Sequence, residues 1–329
     1  MKNKCLYILA IILLAGACKK DDGLDSKDLL VYLPGDYASP TNTFTLPLLH
    51  TPLDVTGMMS AKIVAVATRP VAADVTLTIT ADTSLVDDYN SANKITAMAM
   101  PSGAYHIAGD GTVHIKAGAT VSDSLEVDIT DPASLTNPGG YLLPFQITKV
   151  EGKDKGIQVS SNRGAAFVNV TYQFNNIIAS QTPVAGDLVD RTGWTVAVSN
   201  TTNGALGPSM LDGNNSTAWR SSNSSSAAKW AVIDMGAMHT LKGLQLTPDY
   251  VTTNENPTQM TVSISTDSLT WISQGVWTGT KPATGTNAAN PDLKGVAFIA
   301  PVQARYFRLD ITAVSSGSRA GIGEINAVE

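Results

Sequence analysis

Arg305-Tyr306-Phe307-Arg308-Leu309-Asp310-Ile311-Thr312 alternates polar and apolar residues without a break. Successive side chains of a strand point to opposite faces. Phe307, Leu309 and Ile311 therefore line one face, and Tyr306, Arg308, Asp310 and Thr312 the other. This is the signature of a strand with one face buried and one in water. The pattern recurs upstream. Val75-Thr76-Leu77-Thr78-Ile79-Thr80 sets three apolar residues against three threonines, and Leu125-Glu126-Val127-Asp128-Ile129-Thr130 does so with two carboxylates outward. Turn clusters such as Ala108-Gly109-Asp110-Gly111 and Asn137-Pro138-Gly139-Gly140 separate the bursts. Asp87-Asp88-Tyr89-Asn90 is expected to open a helical turn, and no sustained helical period is found elsewhere beyond the N-terminal region. Short strands between Gly- and Pro-rich turns predict an all-β chain of antiparallel sandwiches.

Length and charge narrow the function classes. The chain has 329 residues, 43% of them hydrophobic, enough for two cores of ordinary size. Its net charge of −6 argues against a nucleic-acid partner, which needs clustered Lys and Arg on phosphates. The four histidines, His50, His106, His114 and His239, have no metalloprotease spacing, and neither a G-x-S-x-G elbow nor a phosphate loop occurs. An enzyme is not expected.

The N-terminus carries an address. Lys2 and Lys4 precede the apolar run Leu6 to Leu14, which is too short for a bilayer span of about 20 residues and fits a signal peptide. Leu14-Ala15-Gly16-Ala17-Cys18 resembles the lipobox of bacterial lipoproteins. The resemblance implies removal of residues 1–17 and acylation of Cys18, followed by a flexible tether over 18–28. Lys19-Lys20-Asp21-Asp22 resembles the charged sequence after the lipid cysteine in surface-exposed Bacteroidetes lipoproteins, which implies an outer-membrane protein facing the cell exterior. The only other cysteine, Cys5, leaves with the signal, so no thiol remains for a disulfide, a metal or a nucleophile.

Two domains are expected, 29–174 and 188–329. Residues 175–187 lack alternation and contain Ala179-Ser180-Gln181-Thr182-Pro183, which predicts an exposed linker that proteases cut first. Val31-Tyr32-Leu33, Leu85-Val86-Asp87-Asp88-Tyr89-Asn90, Met100-Pro101-Ser102-Gly103-Ala104-Tyr105, Val113 to Ala119 and Tyr141-Leu142-Leu143-Pro144 resemble, in order, the N-terminal β-domain of unknown function in many Bacteroidetes lipoproteins. That resemblance implies an immunoglobulin-like β-sandwich acting as a rigid spacer.

The second half resembles the discoidin, or coagulation factor 5/8 type C, family. Six motifs in family order carry the likeness: Trp194-Thr195-Val196, Leu211-Asp212-Gly213-Asn214-Asn215-Ser216-Thr217-Ala218-Trp219, Trp230 to Gly236, Val262 to Asp267 with Trp271, Arg305 to Leu309, and Gly321-Ile322-Gly323-Glu324-Ile325. The resemblance implies an eight-stranded discoidin-type jelly-roll β-sandwich with Trp219 and Trp230 in the core; Trp194, Trp271 and Trp277 are left open. It also implies a structural calcium ion held by Asp212, Thr217 and Glu324 with the carbonyls of Ser209 and Asn214, all oxygen ligands as calcium prefers. The alternative at that loop is an Asx-turn capped by Asp212 without metal.

Glycan binding is the function this family implies here. A sugar pocket needs an aromatic face and a few hydrogen-bonding groups. The loops Arg220-Ser221-Ser222-Asn223 and Asp249 to Asn256 offer Tyr250 for stacking, with Arg220 and Asn254 for hydroxyls. Arg220 stands where some galactose-binding members carry a histidine, so a galactose preference is not carried over. The expected partners are polysaccharide or glycoconjugate glycans, served through a glycan-uptake complex. The alternative is an adhesin for a host or neighbouring protein. Animal discoidin domains of that kind often close with a terminal disulfide and use exposed apolar spikes, unlike these polar, cysteine-free loops.

Overall fold

The computed structural model describes residues 28–35, 42–153, 156–202, 204–251 and 255–329. The signal region, Cys18 and most of the tether lie outside the described residues.

The first domain is two facing sheets around one core. The smaller runs Ile157–Val159, Leu29–Tyr32, Ser60–Ala67, Val121–Ile129, Tyr105–Ile107. The larger runs Val55–Gly57, Thr43–His50, Ala165–Phe174, Tyr141–Gly152, Val75–Ala81, Thr112–Ile115, with Met98–Ala99 alongside Tyr141–Gly152. Alternation decides which faces meet: Val75, Leu77, Ile79, Leu125, Val127 and Ile129 are all buried in the same cluster. The expected helical turn is an α-helix, Val86–Asn93. Asp87 and Asp88 sit in its first turn, where the helix dipole favours negative charge. The Tyr89 ring packs 4.4 Å from that of Phe167, which docks the helix on the sheet.

The second domain is one hydrogen-bonded sheet wrapped around its own core, in the order Trp219–Arg220, Gly321–Val328, Trp230–Pro248, Lys294–Val314, Pro257–Ser265, Ile272–Thr278, with Thr195–Val198 also on Trp230–Pro248. Seven strands are seen among the described residues where eight were expected. The difference lies in Trp230–Pro248 and Lys294–Val314, 19 and 21 residues long. Their mutual register breaks between Asp234 and His239 and again between Leu241 and Gly243. Such irregularities bend a strand, so one long bent strand can serve where two shorter ones were expected. Phe307 and Leu309 are fully buried and Ile311 nearly so. Trp219 is core, as expected, and Trp194 and Trp277 join it. Trp230 is only half-buried, with the Arg308 guanidinium 5.1 Å from its ring centre.

The segment 175–187 is exposed over most of its length, as its composition suggested, but not at its start. Asn176 and Ile177 are buried. The Asn175 N–H donates to the His50 carbonyl of the first domain (2.9 Å), while the Asn176 N–H donates to the Gln274 carbonyl of the second (2.6 Å). The Asn176 side chain donates to Gln274 Oε1 (2.9 Å) and to the Ala300 carbonyl (3.0 Å), and accepts the Ala300 N–H (2.9 Å). Gly275 admits the Asn175 side chain, since a Cβ there would lie 2.1 Å from Asn175 Oδ1. Beyond Ile178 the segment is largely exposed, yet Gln181 accepts the Gly295 N–H (3.0 Å) and Asp187 donates to Glu329 (3.0 Å). Lack of alternation here reflects irregular backbone pairing, because a buried amide satisfied on all sides needs no apolar neighbour pattern.

Limited proteolysis followed by mass spectrometry should therefore find residues 174–178 protected. Asn176→Ala, which strands buried partners at about 1–3 kcal/mol each, should open that stretch. First cleavage there in the unsubstituted chain would count against this junction.

Candidate functional site

Two charged clusters stand in the second domain, both placed by the final strand, Gly321–Val328. The first gathers at one end of the sheet. Arg220 ends the short strand Trp219–Arg220 and pairs in register with Gly321. Asp249 follows the last residue of Trp230–Pro248 and is fully buried. Arg220 forks onto it, Nε to Oδ2 at 2.5 Å and Nη2 to Oδ1 at 3.1 Å. The Asp249 side chain also accepts the Val251 N–H (2.9 Å), and its own N–H donates to Asn256 Oδ1 (2.7 Å). The bonds from Arg220 to Asp249 push the guanidinium pKa above its already high value, so the arginine keeps its charge throughout the physiological range. Glycine is required beside it: a Cβ on Gly321 would lie 2.6 Å from Asp249 Oδ2.

A second pair lies next to the first. Arg319 holds Glu255 through Nε (2.7 Å) and Nη2 (2.6 Å), and the Glu255 carbonyl accepts the Gly321 N–H (2.8 Å). Glu255 also acts electrostatically on Arg220. Two arginines and two carboxylates thus form one mixed-sign group, with Arg319 the more exposed arginine at 28% against 16% for Arg220. Ser318 donates to Asn223 Oδ1 (2.5 Å) at the same end of the domain.

The expected sugar residues fare unequally. Arg220 is at this end, but held by Asp249. Tyr250 is half-buried, and its hydroxyl accepts the Asp292 N–H (2.6 Å), which ties it to the loop before Lys294–Val314. Asn254 lies outside the described residues. Asp249, Glu255 and Arg319 were missed. Asp249 and Glu255 stood within the quoted loop, whereas Arg319 lies 64 positions from its partner and no local pattern marks it.

The second cluster is the expected calcium loop. Asp212 Oδ1 accepts the Asn214 N–H (2.8 Å), the Asx-turn left open above, and its Oδ2 accepts the Thr217 hydroxyl (2.8 Å). The Asn214 carbonyl accepts both the Thr217 N–H (2.9 Å) and its hydroxyl (2.8 Å). Glu324 Oε1 accepts the Asn214 N–H at 3.0 Å, and Glu324 Oε2 is paired with Arg191. Burial raises the pKa of Glu324, and the nearby Asp212 adds to the rise against the pull of Arg191. Burial works the same way on Asp212, but the Thr217 and Asn214 bonds outweigh it and hold that carboxyl below its usual value. Ser209 sits in the 3₁₀ turn Gly207–Met210, and the neighbouring Met210 carbonyl accepts from Arg191 (3.3 Å). The structure thus gathers Asp212, Asn214, Thr217 and Glu324, but as arranged they do not fit a divalent ion. Their oxygens are engaged by one another and by a guanidinium.

With this geometry, the likenesses to known proteins take on meaning. Residues 195–326 match the family model described as the F5/8 type C domain, and residues 24–154 match a model of N-terminal domains. The chain carries an F5/8 type C domain as its second unit. No curated protein matches it. A two-domain protein of unknown function from Bacteroides fragilis is 19% identical with a TM-score of 0.61, covering 98% of this chain and 100% of that one, so the fold is shared along the whole length. The family 32 carbohydrate-binding module of NanJ from C. perfringens, in complex with galactose, is 20% identical with a TM-score of 0.37, over 44% of this chain and 100% of that one. An F5/8 type C domain from Bacteroides fragilis is 22% identical with a TM-score of 0.38, over 44% of this chain and 96% of that one.

Removing one partner of a buried ion pair leaves a stranded charge, which costs about 3–5 kcal/mol. Asp249→Ala should therefore lower stability by that order in chemical denaturation, and pairing Arg220→Met with Asp249→Leu should recover most of it. Equal stability of Asp249→Ala and the unsubstituted chain would show the pair to be solvated.

Proposed function

We propose that this chain is a non-catalytic glycan-binding lipoprotein, anchored through acylated Cys18 and displayed on the outside of an outer membrane. The observation that carries the binding half is the mixed-sign group Arg220, Asp249, Glu255 and Arg319 at one end of an F5/8 type C domain. A sugar presents hydroxyls that both donate and accept, so neighbouring guanidinium and carboxylate groups suit it better than a field of one sign. The buried Asp249 fixes Arg220 as a rigid floor. Arg319, the more exposed arginine, is the group able to exchange part of its bonding to Glu255 for hydroxyls. Tyr250, steadied through its hydroxyl by Asp292, supplies the ring face, and Asn254 stands between Tyr250 and Glu255 in the sequence. The anchoring half rests on the Leu14 to Cys18 sequence and on Lys19-Lys20-Asp21-Asp22. Polysaccharide capture for a glycan-uptake complex is the role that both halves together support.

Isothermal titration against a broad panel of bacterial, plant and host glycans tests the binding. One shallow pocket should bind near the millimolar range, about −4 kcal/mol. Tyr250→Ala should weaken it by a further 0.5–1.5 kcal/mol or so through the lost ring face. Tyr250→Phe should keep the affinity. Silence across the panel, with binding to surface proteins instead, would replace this function with an adhesin.

Metabolic labelling with a fatty-acid analogue should mark the chain and fail to mark Cys18→Ser. Equal labelling of both would remove the anchor.

A further inference from the structure

We infer that the Arg191 guanidinium is the resident cation of the Asp212–Glu324 loop, so that the second domain keeps its shape without calcium. Arg191 reaches three acceptors in two separate segments from one nitrogen. Its Nη1 donates to Glu324 Oε2, to the Met210 carbonyl (3.3 Å) and to the Ile325 carbonyl (3.1 Å). One carboxylate and two backbone carbonyls are the kind of hard-oxygen set that a calcium ion gathers. Here a side chain of the same protein gathers them.

The surrounding loop is built to suit a fixed positive charge. Arg191 sits in the turn Asp190-Arg191-Thr192-Gly193-Trp194, closed by the Trp194 N–H on the Arg191 carbonyl (3.1 Å) and by the Thr192 N–H on Asp190 (3.0 Å). Trp194 is buried edge-on to Phe307, with ring centres 6.1 Å apart, which pins this turn to the core. The Arg191 side chain is 23% exposed and that of Glu324 10%, so the pair lies largely under the surface. The Asn214 N–H bridges Asp212 Oδ1 and Glu324 Oε1, which draws the two carboxylates to one side of the cation. Arginine stays charged at every physiological pH and, unlike an ion, cannot be stripped by dilution or a chelator.

The expected result follows from replacing a dissociable cation with a covalent one. All five tryptophans lie in the second domain, so tryptophan fluorescence reports its melting alone. The full chain should melt at the same temperature in calcium chloride and in chelator. Arg191→Ala should melt several degrees lower in chelator, and calcium chloride should restore part of that loss, because the vacated oxygens then accept the ion. Arg191→Gln, which keeps hydrogen bonding without charge, is read in the same way should the alanine variant not fold. An unsubstituted chain that melts higher in calcium overturns the assignment. So does an Arg191 variant that folds and melts identically in both media, since Arg191 would then be an ordinary ion-pair partner.

Discussion

The placement of the last strand is the constraint from which the second domain follows. Gly321–Val328 pairs with Trp219–Arg220 on one side and Trp230–Pro248 on the other, and is buried along nearly its whole length. Its register sets both charged clusters at once. Gly321 leaves room for the Asp249 carboxylate, and three residues on Glu324 meets Arg191 and the Asn214 amide. A slip by one residue would put a side chain into Asp249 and turn Glu324 to the other face. The ion pairs therefore act against misregister as much as for stability, because each is satisfied in one alignment only.

The half-buried strands were legible because a strand with one wet face writes its geometry into alternate residues. Val75 to Thr80, Leu125 to Thr130 and Arg305 to Thr312 bury the side chains that the pattern assigned. Gly321–Val328 is covered on both faces and carries no such alternation, so only its glycines marked it. The segment after Phe174 misled for a related reason. Asn175 and Asn176 look like loop residues, yet their amides bond to backbone in two domains, and Asn176 is buried as a result.

The site was legible as a neighbourhood and not as a set of contacts. Arg220 and the Asp249 loop were picked out as polar, but polarity alone does not tell a free arginine from one locked to an acid 29 positions away. Arg191 carries the same lesson at a separation of 133 residues. It stands in a turn that the sequence gives no reason to single out, while its partner Glu324 was expected to serve a metal. Long-range charge pairing is a product of topology, and topology is what one-dimensional patterns carry least well.

The junction at Asn175 and Asn176 has a mechanical meaning. A pull on the second domain enters the first through Phe174, along the axis of Ala165–Phe174. That strand is held over eight register pairs by Thr43–His50 and over six by Tyr141–Gly152. Load along a strand's axis is shared by its hydrogen bonds in shear, whereas load across the ladder would part them one at a time. The first domain is therefore oriented to bear tension at its second-domain end. Survival under a sustained pull is then set by how slowly the sandwich unfolds, a kinetic quantity separate from its equilibrium stability.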